Sequence, residues 1–320
     1  MNISLNKEVN SIRNNTMFKG CIHKDANCTG VTSKAHSVQN NGYLNSISTD
    51  GNVLCIDFGK LGLNKKLELH SVGRGKASIF TGFCNYHDSN IFKPIEGKNG
   101  YQANNEEQNF LFAYRAFALA YYERHSAYEF MKEHLEIERK KTKENIKEFE
   151  EKLAFYKKHL KLIENLRISM NINLDNRRYD RVSTELLIWQ QNYELAATSM
   201  FFIDKDKDGR VVNDPSVYIS PFFLTIIPQN DKTYVLMSYL SKDRHRYEFI
   251  KEQIVDTEVT EQKILISNML AMNVENFFIS PDRWNTLSLS TRELFMRVLE
   301  STIGKNKPRI GYFNDLNLFN

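Results

Sequence analysis

The chain has 320 residues, of which 41% are hydrophobic and 26% charged, with a formal net charge of +4. That composition excludes wholesale disorder and collagen-like or mucin-like chains, and the length accommodates two or three cores of about 100–200 residues each. The opening MNISLNKEVNSIRNN lacks the apolar stretch of a secretion signal, and SPFFLTII and FLFAYRAFALAYY fall short of the ~20 apolar residues that cross a bilayer, so a cytoplasmic protein with no membrane partner is expected.

Residues 1–103 are rich in Gly, Asn, Ser and Lys and show no sustained helical period; NVLCIDF is their clearest extended piece. Such a loop-rich module has a small core and calls for a metal. Residues 1–98 carry twelve Lys and Arg, among them Lys7, Lys60, Lys65, Lys66 and Lys98, against seven Asp and Glu. That local excess suits nucleic acid as a partner.

All four cysteines, Cys21, Cys28, Cys55 and Cys84, also lie here. In a reducing cytosol such clustering reads as metal binding and not as a disulfide framework. Cys21 and Cys28 flank the turn IHKDAN; Cys84 and His87 form C-x-x-H in FTGFCNYHDSNIF, a spacing that turns both side chains toward one point at the start of a helix. Two local pairs supply the four ligands of a structural, tetrahedral Zn2+ site. The gap between Cys21 and Cys28 is wider than usual, and His23 is an alternative to Cys21. Cys55, inside LCIDF, reads as a small buried hydrophobe.

Between the two pairs lies TSKAHSVQNNGYLNSI. Two knuckle cysteines, a histidine in a short polar strand and a second ligand pair opening a helix together resemble an HNH endonuclease of the treble-clef, His-Me finger type, over residues 21–96. The resemblance implies that His36 is the general base and that Asp88, directly after His87 on the helix, helps hold a catalytic Mg2+ or Mn2+, while the zinc is structural. The chain departs from the family pattern at Ala35, where an acidic residue is common, and at Ile79, where an asparagine is common; Ser78 and Thr81 are the nearest substitutes for that asparagine's orienting role. Phosphodiester hydrolysis needs a base to activate water and a cation to stabilise charge on phosphate. A neutral imidazole and a carboxylate facing a hard ion fit those roles. The resemblance further implies a setting in prokaryotic defence against mobile DNA. The alternative is a non-catalytic, zinc-stabilised protein that binds nucleic acid or a protein partner, with His36 as a turn residue.

Residues 104–180 contain a long stretch free of Gly and Pro that reads as long helices. Ile146, Phe149, Leu153, Tyr156, Leu160 and Ile163 repeat at the seam spacing of a coiled coil. The stripe at 146–163 packs either in a hairpin within the chain or against a second subunit or partner protein. Glu106, Arg115, Glu123 and Arg124 read as a solvated face, and His125, His134 and His159 as surface residues.

Residues 181–320 alternate strand-like runs with helical ones, a small antiparallel sheet covered by helices, so the whole chain is α+β. DKDKDG opens like a calcium loop, but Pro215 stands where the bidentate Glu would be, and a hairpin turn is expected. Asn268, Asn273 and Asn276 are expected to cap or bridge backbone, and Trp284 to fill the core. With no nucleophile–base constellation, this part reads as a recognition or assembly domain. The break in composition near residue 103 predicts that a 104–320 fragment folds by itself.

Overall fold

The computed structural model describes residues 11–56, 67–97, 99–141, 146–302 and 307–320. Lys7, Lys60, Lys65, Lys66 and Lys98 of the basic excess lie outside them. The fold is mixed α and β. In chain order its main elements are β1 (Ala35–His36), β2 (Asn52–Ile56), β3 (Leu69–Gly73), β4 (Ile79–Phe80), α1 (Asn85–Ile91), α2 (Lys93–Glu96), α3 (Glu106–Lys141), α4 (Ile146–Asp175), β5 (Val182–Trp189), β6 (Leu195–Phe201), β7 (Phe222–Gln229), β8 (Lys232–Leu240), α5 (Val259–Asn273), β9 (Phe277–Ile279) and α6 (Leu289–Thr302).

Two compact units divide the chain: residues 1–35, 80–92 and 118–178 form the first, and residues 36–79, 93–117 and 179–320 the second. This differs from a division at residues 103 and 180. The loop-rich segment does not hold one core of its own, because β2 and β3 join the sheet of the second unit.

In the first unit, the part of α3 from Ala118 onward runs antiparallel to α4. Tyr121 Oη donates to Glu164 (2.9 Å), the His134 and Phe149 rings lie 5.1 Å apart, and Arg139 pairs with Glu150 at 2.7 Å. Absence of Gly and Pro permits two such long helices, and ion pairs one turn apart, Glu136–Arg139 (2.8 Å) and Glu148–Lys152 (2.6 Å), add a few tenths of a kcal/mol each. The 146–163 stripe is therefore used within the chain: Ile163 is buried and its other members are half-buried. His125, expected on the surface, is half-buried; its ring lies 4.2 Å from that of Tyr121 and 5.2 Å from that of Phe18. Burial lowers its pKa and that of His159.

The second unit is built on a seven-stranded antiparallel sheet in the order β3-β2-β9-β6-β7-β8-β5. Alternation along β7 sends Phe222, Leu224 and Ile226 to a core shared with Leu265, Met269, Phe295 and Leu299 of α5 and α6. The opposite face, with Thr225, Ile227 and Tyr234, is covered as well: the Tyr101 ring lies 5.3 Å from that of Tyr234, and Gln229 bonds Tyr101 N–H at 2.7 Å. A strand buried on both faces needs a continuous apolar run, which FFLTII supplies. Asn230 and Asp231, with φ of 48° and 51°, make the two-residue loop between β7 and β8; a left-handed pair matches the twist of the strands it joins, and Asn and Asp tolerate it.

The DKDKDG segment is a hairpin turn, as expected. Gly209 takes φ of 87°, Asp206 accepts from Arg210 N–H (2.8 Å), and Gln253 donates to Asp206 and Asp208 (both 3.1 Å). Asn268 bridges backbone to Phe313 through both its amide atoms (2.9 Å each) and Asn276 reaches Thr198 O (3.1 Å), while Asn273 accepts from Lys307 (2.8 Å). Trp284 packs partly buried against the core, its ring 5.9 Å from that of Phe295.

Since β9 pairs with β2 as well as β6, a 104–320 fragment loses β2 and β3 and exposes β9 as an apolar edge. Size-exclusion chromatography should find it aggregated or in association, in place of the independent folding that composition suggested. A monomeric fragment with full sheet content would contradict this placement of β2.

Candidate metal centre

The first unit gathers Cys21, Cys28, Cys84 and His87. Cys84 precedes α1 in extended conformation (φ −81°, ψ 163°), and His87 lies one turn into the helix, so both side chains leave it on one side. The segment before Cys84 is gripped by backbone from the first pair: Ile22 N–H donates to Gly82 O (2.8 Å), Ser33 N–H to Phe83 O (2.7 Å), and Thr32 bridges Cys84. Gly30, at φ 74°, supplies the left-handed turn just after Cys28.

Cys21, Cys84 and His87 are buried, and Cys28 is intermediate. Cys21 Sγ and Cys84 Sγ lie 3.1 and 3.3 Å from His87 Nδ1. All four ligand atoms fall within 4.8 Å of one another. A tetrahedral zinc site with ordinary bond lengths has ligand–ligand edges of about 3.5–3.8 Å. The donor set fits: the cluster can hold a metal ion such as zinc, and three soft sulfurs with one imidazole favour that ion over hard cations.

Hydrogen bonding assigns the proton positions. With His87 Nδ1 facing the thiols, Nε2 carries the hydrogen and donates to Asp25 Oδ1 (3.0 Å), with His23 Nδ1 at 3.3 Å. His23 Nδ1 is thereby an acceptor, and its Nε2–H donates to Asp175 Oδ1 (2.8 Å) at the end of α4. A carboxylate behind a metal-binding histidine fixes its tautomer and raises its basicity. His23 faces the far nitrogen of His87, away from the sulfurs, so Cys21 and not His23 completes the set. Asn171 ties this knuckle to α4 by donating to Ile22 O (3.0 Å).

Burial opposes ionisation of Cys84, but N–H donors from His87 and Thr29 and the Thr29 hydroxyl outweigh it and hold the thiol near pKa 6. Burial pushes Cys21 up to about 12, with the charge of Cys84 adding to the effect. Metal uptake must displace the Cys21 proton, so affinity rises with pH.

Asp25→Ala should leave the four ligands in place and lower zinc affinity by about 10–100-fold, the usual cost of losing an outer partner of a ligand. Competition with a chromogenic chelator measures this; unchanged affinity would detach Asp25 from the centre.

The other residues of interest fall elsewhere. Asp88 belongs to the first unit, half-buried, with Ser33 Oγ at 3.4 Å from its carboxylate. His36 opens the second unit. Its Nδ1 lies 2.9 Å from Ser78 Oγ, and that hydroxyl donates its single hydrogen to Val38 O (2.9 Å). Ser78 can therefore only accept from His36, which places the imidazole hydrogen on Nδ1 and leaves the Nε2 lone pair open. Of the two residues considered beside it, Ser78 bonds the His36 ring, while Thr81 donates to Phe18 O (2.6 Å). Burial lowers the His36 pKa, the Arg115 charge lowers it further, and Glu96 acts in the opposite sense. Cys55 is buried in β2, as expected of a small hydrophobe.

Arg115 corrects the reading of a solvated face. Its side chain is 2% exposed and pairs with Glu96 at 2.5 Å. The signal was present: FLFAYRAFALAYY is apolar around the whole helix, so any charge within it is buried. Asp25 and Asp175 were missed because a carboxylate behind a ligand has no spacing rule.

Comparison with known proteins finds no matching family model, no matching curated protein and no matching solved structure.

Proposed function

We propose that the chain is a metal-dependent HNH-like endonuclease, with a treble-clef-like zinc module in which Cys21, Cys28, Cys84 and His87 hold the structural ion and His36 is the general base. The observation that carries this reading is the Ser78 relay, which leaves a neutral imidazole with its Nε2 lone pair open. A base of that form takes a proton from the attacking water. A Mg2+ or Mn2+ ion would supply electrostatic stabilisation of the phosphate. Nucleic acid is the partner, and the remainder of the second unit selects the target or assembles the protein, in the setting of defence against mobile DNA.

The test is incubation of purified full-length protein with supercoiled plasmid DNA and with RNA, in Mg2+, in Mn2+ and with divalent ions withheld. Cleavage that requires the added ion supports the proposal. Tight nucleic-acid binding without cleavage in any metal would favour the zinc-stabilised binding protein instead.

A further inference from the structure

The sheet of the second unit ends on β5, which pairs with β8 on one side and with no other strand among the described residues on the other. A strand at an edge offers a row of unmatched N–H and C=O groups, and proteins ordinarily guard such rows with Lys, Pro, a bulge or a short strand. β5 has none of these guards. It is eight residues long, VSTELLIW, and keeps register with β8 without interruption from Val182↔Leu240 to Trp189↔Thr233. Its one charged residue, Glu185, accepts from Tyr239 Oη (3.1 Å) and is tied back to the neighbouring strand. Leu186 is half-buried and Ile188 is 39% exposed, so apolar surface lies beside the open backbone. The opposite edge, β3, is shorter, with five residues ending on Gly73.

The order of residues along β5 selects its partner and its register. A two-fold axis perpendicular to the sheet runs two copies of one strand antiparallel and keeps each face on its own side, so facing residues share parity and the axis passes through a residue. Within β5 the two longest such registers centre on Glu185 and on Leu186. The first sets two carboxylates opposite each other, which is destabilising. The second sets Leu186 against itself, Thr184 against Ile188 and Glu185 against Leu187, with no like charges facing. An extended peptide would satisfy one open edge, whereas a second copy satisfies two at once. We propose that β5 pairs antiparallel with β5 of a second copy of this chain, about a two-fold axis at Leu186, joining the two sheets into one. Such a contact closes on itself and stops at two copies, leaving only the short β3 edges open. It lies on the sheet and not on the 146–163 stripe, which packs within the chain.

Sedimentation velocity of the zinc-loaded full chain from ~1 to ~100 µM, a range that covers weak and firm association, should show a monomer–dimer equilibrium. Leu186→Lys sets two ammonium groups opposite each other at the axis and should weaken the dimer at least ~10-fold. Val217→Lys, at a side chain 79% exposed outside the strands, adds the same charge and should leave the dimer unchanged. Ile188→Lys should also weaken it, and Thr184→Glu in the same chain should restore it, because each new lysine then faces a new glutamate of the other copy. Within one strand the two positions are about 13 Å apart and do not pair, so restoration reports on the contact between copies and upholds the proposal even if Leu186→Lys fails to fold. A parent that stays monomeric throughout, or a dimer undiminished by Leu186→Lys and Ile188→Lys, overturns the proposal. A dimer weakened by Ile188→Lys and not restored by Thr184→Glu overturns the register centred on Leu186.

Discussion

Cys84→Ser is expected to strip zinc from the protein and unfold the first unit around it. Cys84 is fully buried, begins α1, receives N–H groups from His87 and Thr29, and is bridged by Thr32. Serine preserves the volume of the site while removing the thiolate, so any loss reports on the metal and not on a cavity. Structural zinc contributes about 10–16 kcal/mol in small metal-dependent folds, as much as the whole stability of an ordinary domain, about 5–15 kcal/mol. Residues 17–34, which provide half the ligands, contain no helix or strand; once the metal is gone, only their backbone bonds to residues 82–84 and the anchors to α4 remain. Elemental analysis should find zinc near one ion per chain in the parent and far less in Cys84→Ser, with the N-terminal segment opened to limited proteolysis. Cys55→Ser offers the contrast: a buried hydroxyl in β2 costs about 1–3 kcal/mol and should leave zinc content unchanged.

The second large effect concerns His36. Removing a general base costs about 10²–10⁴-fold in rate, and His36→Ala should lose that much cleavage while keeping zinc content and nucleic-acid affinity close to those of the parent, because a base acts in the transition state. Ser78→Ala should fall between the two, since the ring remains but its tautomer is no longer fixed. The pH dependence follows from the lowered pKa of His36. The unfolded chain binds the proton more readily than the folded one, so the contribution of His36 to stability is present above pH ~6.5 and is lost as pH falls below it. The same shift keeps the imbalance in favour of neutral base, so the acid limb of the cleavage profile should lie below pH 6.5. Cleavage undiminished in His36→Ala would remove the HNH assignment even with the zinc site intact.

The cluster of Cys21, Cys28, Cys84 and His87 that could hold a metal ion was legible because such sites draw on local pairs: C-x-x-H at a helix start and two cysteines about a turn can be read without any tertiary knowledge. The helices of residues 104–180 were legible from periodicity and the absence of Gly and Pro. The partition of the chain was not, because the short strand β2, which carries β3 with it, joins the sheet through β9, more than two hundred residues away, and nothing local announces a pairing at that range. Arg115 was misread by a rule that holds for amphipathic helices and fails in a segment apolar on every side. Ser78 was visible only as a substitute for a missing asparagine, and its use follows from the bond to Val38 O. Asp25 and Asp175 act through contacts that carry no spacing signature.

The coordination of the zinc itself is the most direct measurement. X-ray absorption at the zinc edge on the purified full chain should show three sulfur scatterers at about 2.3 Å and one nitrogen at about 2.0 Å, from Cys21, Cys28, Cys84 and the Nδ1 of His87, with one sulfur lost on Cys28→Ser. A well-folded protein that contains no zinc, or whose zinc is bound by nitrogen and oxygen alone, would contradict the metal centre and, with it, the treble-clef reading of the module.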